Sequence, residues 1–214
     1  MSQTFAQFKD RLGRSVLRDD IAADYGTYIN EALREAQNRR SWLCMKREVP
    51  LVVPTGTGRE TAALPADFKE LQKRPAVHYV TDEGLFIPAD VVTEEQQVYR
   101  VWAFGGTPIC TWPPRVFFER RATGAILGVL EPLSQAFNFT VKYYAYLPDL
   151  VADVDTSPLI DAYPMMVLAK AKAIAFSGLN DPVAAGFETE FEKKLAEAAR
   201  QDAYSEVAGR ETRM

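Results

Sequence analysis

The stretch Phe137 to Ala175, FNFTVKYYAYLPDLVADVDTSPLIDAYPMMVLAKAKAIA, changes its hydrophobic period halfway along. Phe137, Phe139, Val141 and Tyr143 alternate with Asn138, Thr140 and Lys142, the period of a strand with one buried face. Aromatic and β-branched side chains suit such a pleated surface. Beyond an acidic turn, Ser157 and Pro158 read as a side-chain N-cap followed by proline at the first helical position. Met166, Val167, Ala171 and Ile174 then recur at helical spacing, which predicts a helix from about Pro158 to Ser177, stopped by Gly178. Pro164 would cost about 3 kcal/mol inside that helix but is tolerated in a first turn. It therefore marks the start of the helix proper, with Pro158 to Tyr163 a single preceding turn.

The pattern upstream is helical again at the amino end. Thr4 with Gln7 forms a capping pair, and Phe5, Phe8, Leu12 and Val16 make one apolar stripe ending near Arg18. A second helix, starting at Ile21 or Tyr28 and running to Leu43, places Tyr25, Ile29, Leu33 and Ala36 on one face. Between Glu48 and Tyr146 the signal becomes short runs bounded by Pro and Gly: VPLVV, PAVHYV, LFIP, QVYRVWAF, PICTW, RVFFER, AILGVL and FNFTVKYYAY. Such runs predict an antiparallel, sandwich-like sheet region. A last helix begins at Asp181-Pro182 and runs towards Val207, with Phe187, Phe191, Leu195 and Ala198 on its inner face. From these patterns Phe139, Val141, Ile174, Phe187 and Phe191 are expected to be strongly buried, and Gly209 to Met214 to be mobile.

A helical end with one apolar stripe is not stable alone, so the economical arrangement packs both ends together. The fold class expected is α+β: a helical bundle from residues 1–47 and 148–214, with an inserted antiparallel β-rich region, 48–147, and a flexible tail.

Composition narrows the function. The chain has 214 residues, 47% of them hydrophobic, enough for a substantial core. No run of about 18 apolar residues exists, and the amino terminus is charged and amphipathic, so neither membrane spanning nor secretion is expected. Cys44 and Cys110 are too few for a disulfide framework and are read as reduced thiols. The net charge of -4 argues against wrapping nucleic acid as the main task. Met1 to Arg47 carries nine Lys/Arg against six Asp/Glu, and Pro148 to Met214 seven against twelve. Opposed ends suit head-to-tail contact between copies in a ring, while two solvated helical faces are the plainer reading.

No motif supplies chemistry. Thr55-Gly56-Thr57-Gly58-Arg59 lacks the lysine and hydroxyl of a phosphate loop and reads as a hairpin turn. His78, the only histidine, lies in an apolar run and has no nucleophile motif to serve. Asp149, Asp153 and Asp155 lack the glycine and terminal glutamate of a calcium loop; near a helix start they read as capping groups. Trp42, Trp102 and Trp112 with Phe117, Phe118, Tyr143 and Tyr144 read as core rather than as a stacking platform, since no basic patch surrounds them. No catalytic, cofactor-binding or metal-binding residue is assigned.

Two blocks carry a family likeness. The first is Ile29-Asn30-Glu31-Ala32, then Arg39, Arg40 and Trp42, then an apolar strand and Leu64-Pro65-Ala66-Asp67-Phe68. The second is Tyr143-Tyr144-Ala145-Tyr146-Leu147-Pro148-Asp149-Leu150, Asp153 and Asp155, then Tyr163-Pro164-Met165-Met166 and an Ala-rich helix. In this order they resemble the head-to-tail adaptor, or tail tubular, proteins of tailed bacteriophages. The resemblance implies a dodecameric ring in the virion neck that binds the portal protein, a central DNA channel, a tail or nozzle component attached below, no enzyme activity and no cofactor. It also implies a carboxyl-terminal extension reaching the portal, here Ser205, Arg210, Arg213 and Met214. Two other readings remain: a hydrolase of cell wall or polysaccharide using two of the aspartates, and another tail or baseplate module.

Overall fold

The computed structural model describes residues 2–54, 60–73, 75–81, 84–92, 115–122, 124–129 and 136–211, side chains excepted at residue 19 and from residue 207 on. The runs QVYRVWAF and PICTW, the turn Thr55 to Arg59, Cys110, Trp102 and Trp112 lie outside the described residues. The fold is α+β, and the chain divides into two compact units. One comprises Met1–Met45 and Leu147–Met214, the other Lys46–Tyr146.

In the helical unit, α1 (Phe5–Val16) opens with a complete capping box: Gln7 N–H donates to the Thr4 hydroxyl and the Gln7 side chain accepts from Thr4 N–H. All four predicted stripe residues, Phe5, Phe8, Leu12 and Val16, are buried. The helix stops at Val16 because Leu17 turns left-handed (φ 54°) and its N–H donates to Gly13 O. A 3-10 turn, Asp19–Asp24, leads into α2 (Tyr25–Arg39), where Tyr25, Ile29, Leu33 and Ala36 are buried as their spacing predicts. A second 3-10 turn covers Leu43–Met45.

After Leu147 come α3 (Pro158–Ala162), α4 (Pro164–Gly178) and α5 (Ala184–Glu211). Pro164 does separate the first turn from the long helix, with Pro at the start of each. Ser157 occupies the N-cap position of α3, but its buried hydroxyl makes no capping hydrogen bond. Two burial expectations fail. Ile174 and Phe187 are only half-buried. In α4 the buried residues Met166, Val167, Leu168, Ala169, Ala171, Ala173 and Ala175 run around the helix, so periodicity gave no reliable inner face there. Phe187 instead stacks on Phe176 at 5.3 Å, at the rim of the α4 and α5 pair. Phe191 is fully buried, Leu195 only half. Gly209 to Glu211 continue α5.

The β unit has nine described strands: β1 (Lys46–Val53), β2 (Thr61–Ala63), β3 (Phe68–Leu71), β4 (Val77–Val80), β5 (Phe86–Pro88), β6 (Val91–Val92), β7 (Val116–Arg121), β8 (Gly124–Val129) and β9 (Phe137–Ala145). The long β9 organises the first sheet, antiparallel to β1 on one side and to β3 and β4 on the other, with β5 beyond β4. The second sheet runs β2-β8-β7-β6; its β6–β7 pair is parallel. Pro50 lies in β1, at an edge of the first sheet, where a missing N–H breaks no ladder. Val53, Val77 and Phe139 from one sheet share an apolar core with Val116, Leu127 and Val129 from the other. Gly128 faces Phe117 so closely that a Cβ there would lie 2.3 Å from the ring. Along β9 the alternation holds for Phe137, Phe139, Val141 and Tyr143, but Thr140 is also buried because β1 and β4 flank it on both sides. No described helix is long and apolar enough to cross a membrane.

Candidate interaction surface

The acidic turn from Leu147 to Asp155 is built by side chains of α2. The Gln37 carbonyl accepts Leu147 N–H at 2.7 Å. Asn30 uses both ends of its amide on one residue: its Nδ2 donates to Leu150 O at 2.9 Å and its Oδ1 accepts Leu150 N–H at 2.9 Å. Arg34 grips Asp149 through two parallel N–H groups, the fork geometry that fixes orientation as well as charge. Asn30, Arg34 and Gln37 follow one another about a helical turn apart along one flank of α2, and so reach Leu150, Asp149 and Leu147 in that order.

The other two aspartates serve α1. Asp155 O accepts Phe5 N–H at 2.8 Å and Asp153 O accepts Ala6 N–H at 3.1 Å, satisfying amides that a helix start leaves unpaired. Asp153 also forms an ion pair with Lys9. The Asp155 carboxylate accepts Val151 N–H and Ala152 N–H at 2.8 and 2.7 Å, and these two bonds hold its carboxyl below the ordinary carboxylate range. Asp161 adds bonds from Gln3 N–H and the Ser2 hydroxyl. The capping expected of these carboxylates is carried instead by the backbone carbonyls of Asp153 and Asp155, while the carboxylates hold Lys9 and the loop amides. The helix capped is α1, far away in the chain, rather than the following one. Asp149, Asp153 and Asp155 are thus engaged in fixing the turn, which leaves Val151 and Val154 85% and 79% exposed.

A second polar cluster was not anticipated. Asp202 of α5 is buried and accepts from the Tyr163 hydroxyl at 2.8 Å and from Leu43 N–H at 3.1 Å, with Arg40 3.7 Å away. Burial, reinforced by the bond to Asp202, pushes the Tyr163 hydroxyl well above its ordinary pKa. Trp42 lies alongside, its ring 4.9 Å from Tyr163 and its Nε1–H donating to Ala36 O. A signal for Asp202 existed, since it continues the helical stripe of Phe191, Leu195 and Ala198. A carboxylate on an apolar stripe points to a buried partner.

His78 is buried on β4 against the edge of Phe86, and burial, with Lys142 nearby, keeps its imidazole below its ordinary pKa. Among the described residues no three of His, Cys, Asp and Glu gather to hold a metal ion. Ser205 is exposed on α5 and its hydroxyl donates to Gln201 O; Arg210 lies on the same helix, and Arg213 and Met214 lie outside the described residues.

The chain thus has a helical unit whose sequence is interrupted by a β unit, and in the helical unit side chains of α2 position the backbone of the acidic turn. A family model described as SU10 adaptor protein matches residues 3–213, and the chain belongs to that family. It is a bacteriophage structural adaptor, a component of the virion. None of the curated proteins compared matches the chain.

Proposed function

We infer that the chain is one subunit of a dodecameric ring in the virion neck, which binds the portal protein, carries the tail or nozzle component and leaves a central channel for DNA. Its work is assembly, without bond chemistry: apolar surface buried between copies and against partners supplies the free energy. The observation that carries this reading is the family match across nearly the whole chain. Exposed apolar groups on fixed backbone, Val151 and Val154, and the exposed Tyr204 late in α5 are the kind of surface such assembly uses. DNA would pass without sequence readout, in keeping with the net charge of -4. The test is electron microscopy of the purified protein mixed with the portal ring of its own phage. Added ring density stacked on the portal is expected; portal rings that remain bare, while still accepting the neck from a phage extract, would overturn the portal-binding role.

A further inference from the structure

We propose that His78 is a pH-sensitive latch on the first sheet: neutral, it lets the edge strand β5 close on β4, and protonated, it opens that hairpin. His78 sits in β4 between Val77 and Tyr79, whose side chains enter the apolar core shared by the two sheets. Side chains alternate along a strand, so His78 points to the opposite face, together with its register partners Thr140 on β9 and Pro88 on β5. It is nevertheless only 8% exposed. Phe86, two residues before Pro88, makes a T-shaped contact with its ring at 6.4 Å. Its Nδ1 is buried and has no hydrogen-bond partner among the described residues.

A neutral imidazole can carry its N–H on the other nitrogen and leave Nδ1 a bare acceptor, whereas the protonated ring has an N–H at both. Protonation therefore places a charged donor at Nδ1 with nothing to receive it, an expensive state for a buried group. Burial is the largest cause holding the ring below its ordinary pKa; the like charge of Lys142, two residues along β9 from Thr140, is the second. Glu48, the register partner of Lys142 on β1, acts the other way and more weakly. β5 contributes no titratable side chain. Such a ring takes up its proton more readily unfolded than folded. Its contribution to stability is complete above about pH 6.5 and is lost as pH falls from there towards the folded-state pKa.

The element that gives way is β5. β9 is held on both sides, by β1 and by β3 and β4, whereas β5 pairs among the described strands with β4 alone. Three residues in register make that pairing, closed at its ends by Thr81 N–H to Leu85 O at 3.0 Å and Ala89 N–H to Val77 O at 2.9 Å. Lifting β5 admits water to the imidazole. It gives up little apolar burial, since Leu85 and Phe86 are each already 58% exposed.

His78 is the only histidine, so its ring signal in a proton NMR titration of the purified protein is assigned without ambiguity. The midpoint is expected below about 6.5 and should rise in Lys142→Gln. Amide exchange at Thr81 and Ala89, corrected for the intrinsic rate, should accelerate by up to about tenfold per pH unit between about pH 6.5 and 5.5, while the amides of α1 keep their protection. In His78→Gln that acceleration should vanish. A wild-type midpoint at or above the ordinary value, one that does not rise in Lys142→Gln, or exchange at Thr81 and Ala89 that follows α1 through the whole range would each overturn the latch. So would the same acceleration in His78→Gln; should that variant fail to fold, the wild-type exchange and the two titrations still decide.

Discussion

Asp202 is shared by two donors from different parts of the chain, the Tyr163 hydroxyl and the Leu43 amide, and removing it takes the acceptor from both in a partly buried setting. Each orphaned group costs about 1–3 kcal/mol. Tyr163→Phe removes a hydroxyl but leaves Asp202 its bond to Leu43, so Asp202→Ala is expected to lower the free energy of unfolding in urea by clearly more than Tyr163→Phe. Equal losses would mean that the Leu43 bond contributes nothing. At this scale sequence was a partial guide. The Thr4 and Gln7 box was legible because both partners are three residues apart. The clamp of Asn30, Gln37 and Arg34 was not, because its partners lie more than a hundred residues away and a polar helix flank gives no hint of what it will meet.

Between elements, the most extensive helix pairing among the described residues is that of α4 with α5, where Phe191 is fully buried. Phe191→Ala leaves a cavity in that seam and is expected to cost about 3–5 kcal/mol, read as a marked drop in thermal midpoint. Phe187→Ala, which removes a half-buried ring stacked on Phe176, should cost less, and reversal of the two would place the seam on the other face of α5. The stripes of α1 and α2 were legible because polar residues separate their apolar ones. α4 was not, because Met166 through Ala175 offers no polar marker of an outer face beyond its lysines, and Ile174 was accordingly assigned to the wrong side. The strand β9 was legible on the face of Phe137, Phe139, Val141 and Tyr143, while the burial of Thr140 depends on neighbours that a single strand cannot announce.

For the whole molecule, the chain divides into two compact units, Met1–Met45 with Leu147–Met214 and Lys46–Tyr146. Where the molecule meets its partners is written less plainly, because a surface built for another protein looks like any solvated face until its geometry is known. α5 is the place to look. Its 28 residues span about 42 Å, against about 22 Å for the 15 of α4, so one long helix outruns the one it packs on. Asp202 is the last residue of α5 seen to be buried; Ala203, Tyr204 and Ser205 beyond it are exposed, Tyr204 at 79%. The exposed residues Ala203 to Ser205 contribute little to folding and are available to a partner, and the stretch that follows carries Arg210 and Arg213 beside Glu206 and Glu211. Ending the chain after Tyr204 should therefore leave the melting midpoint within a few degrees of wild type and abolish stacking on portal rings, and Arg210→Glu/Arg213→Glu in the full chain should weaken it. A truncated protein that still binds the portal with undiminished affinity would move the docking surface off the end of α5.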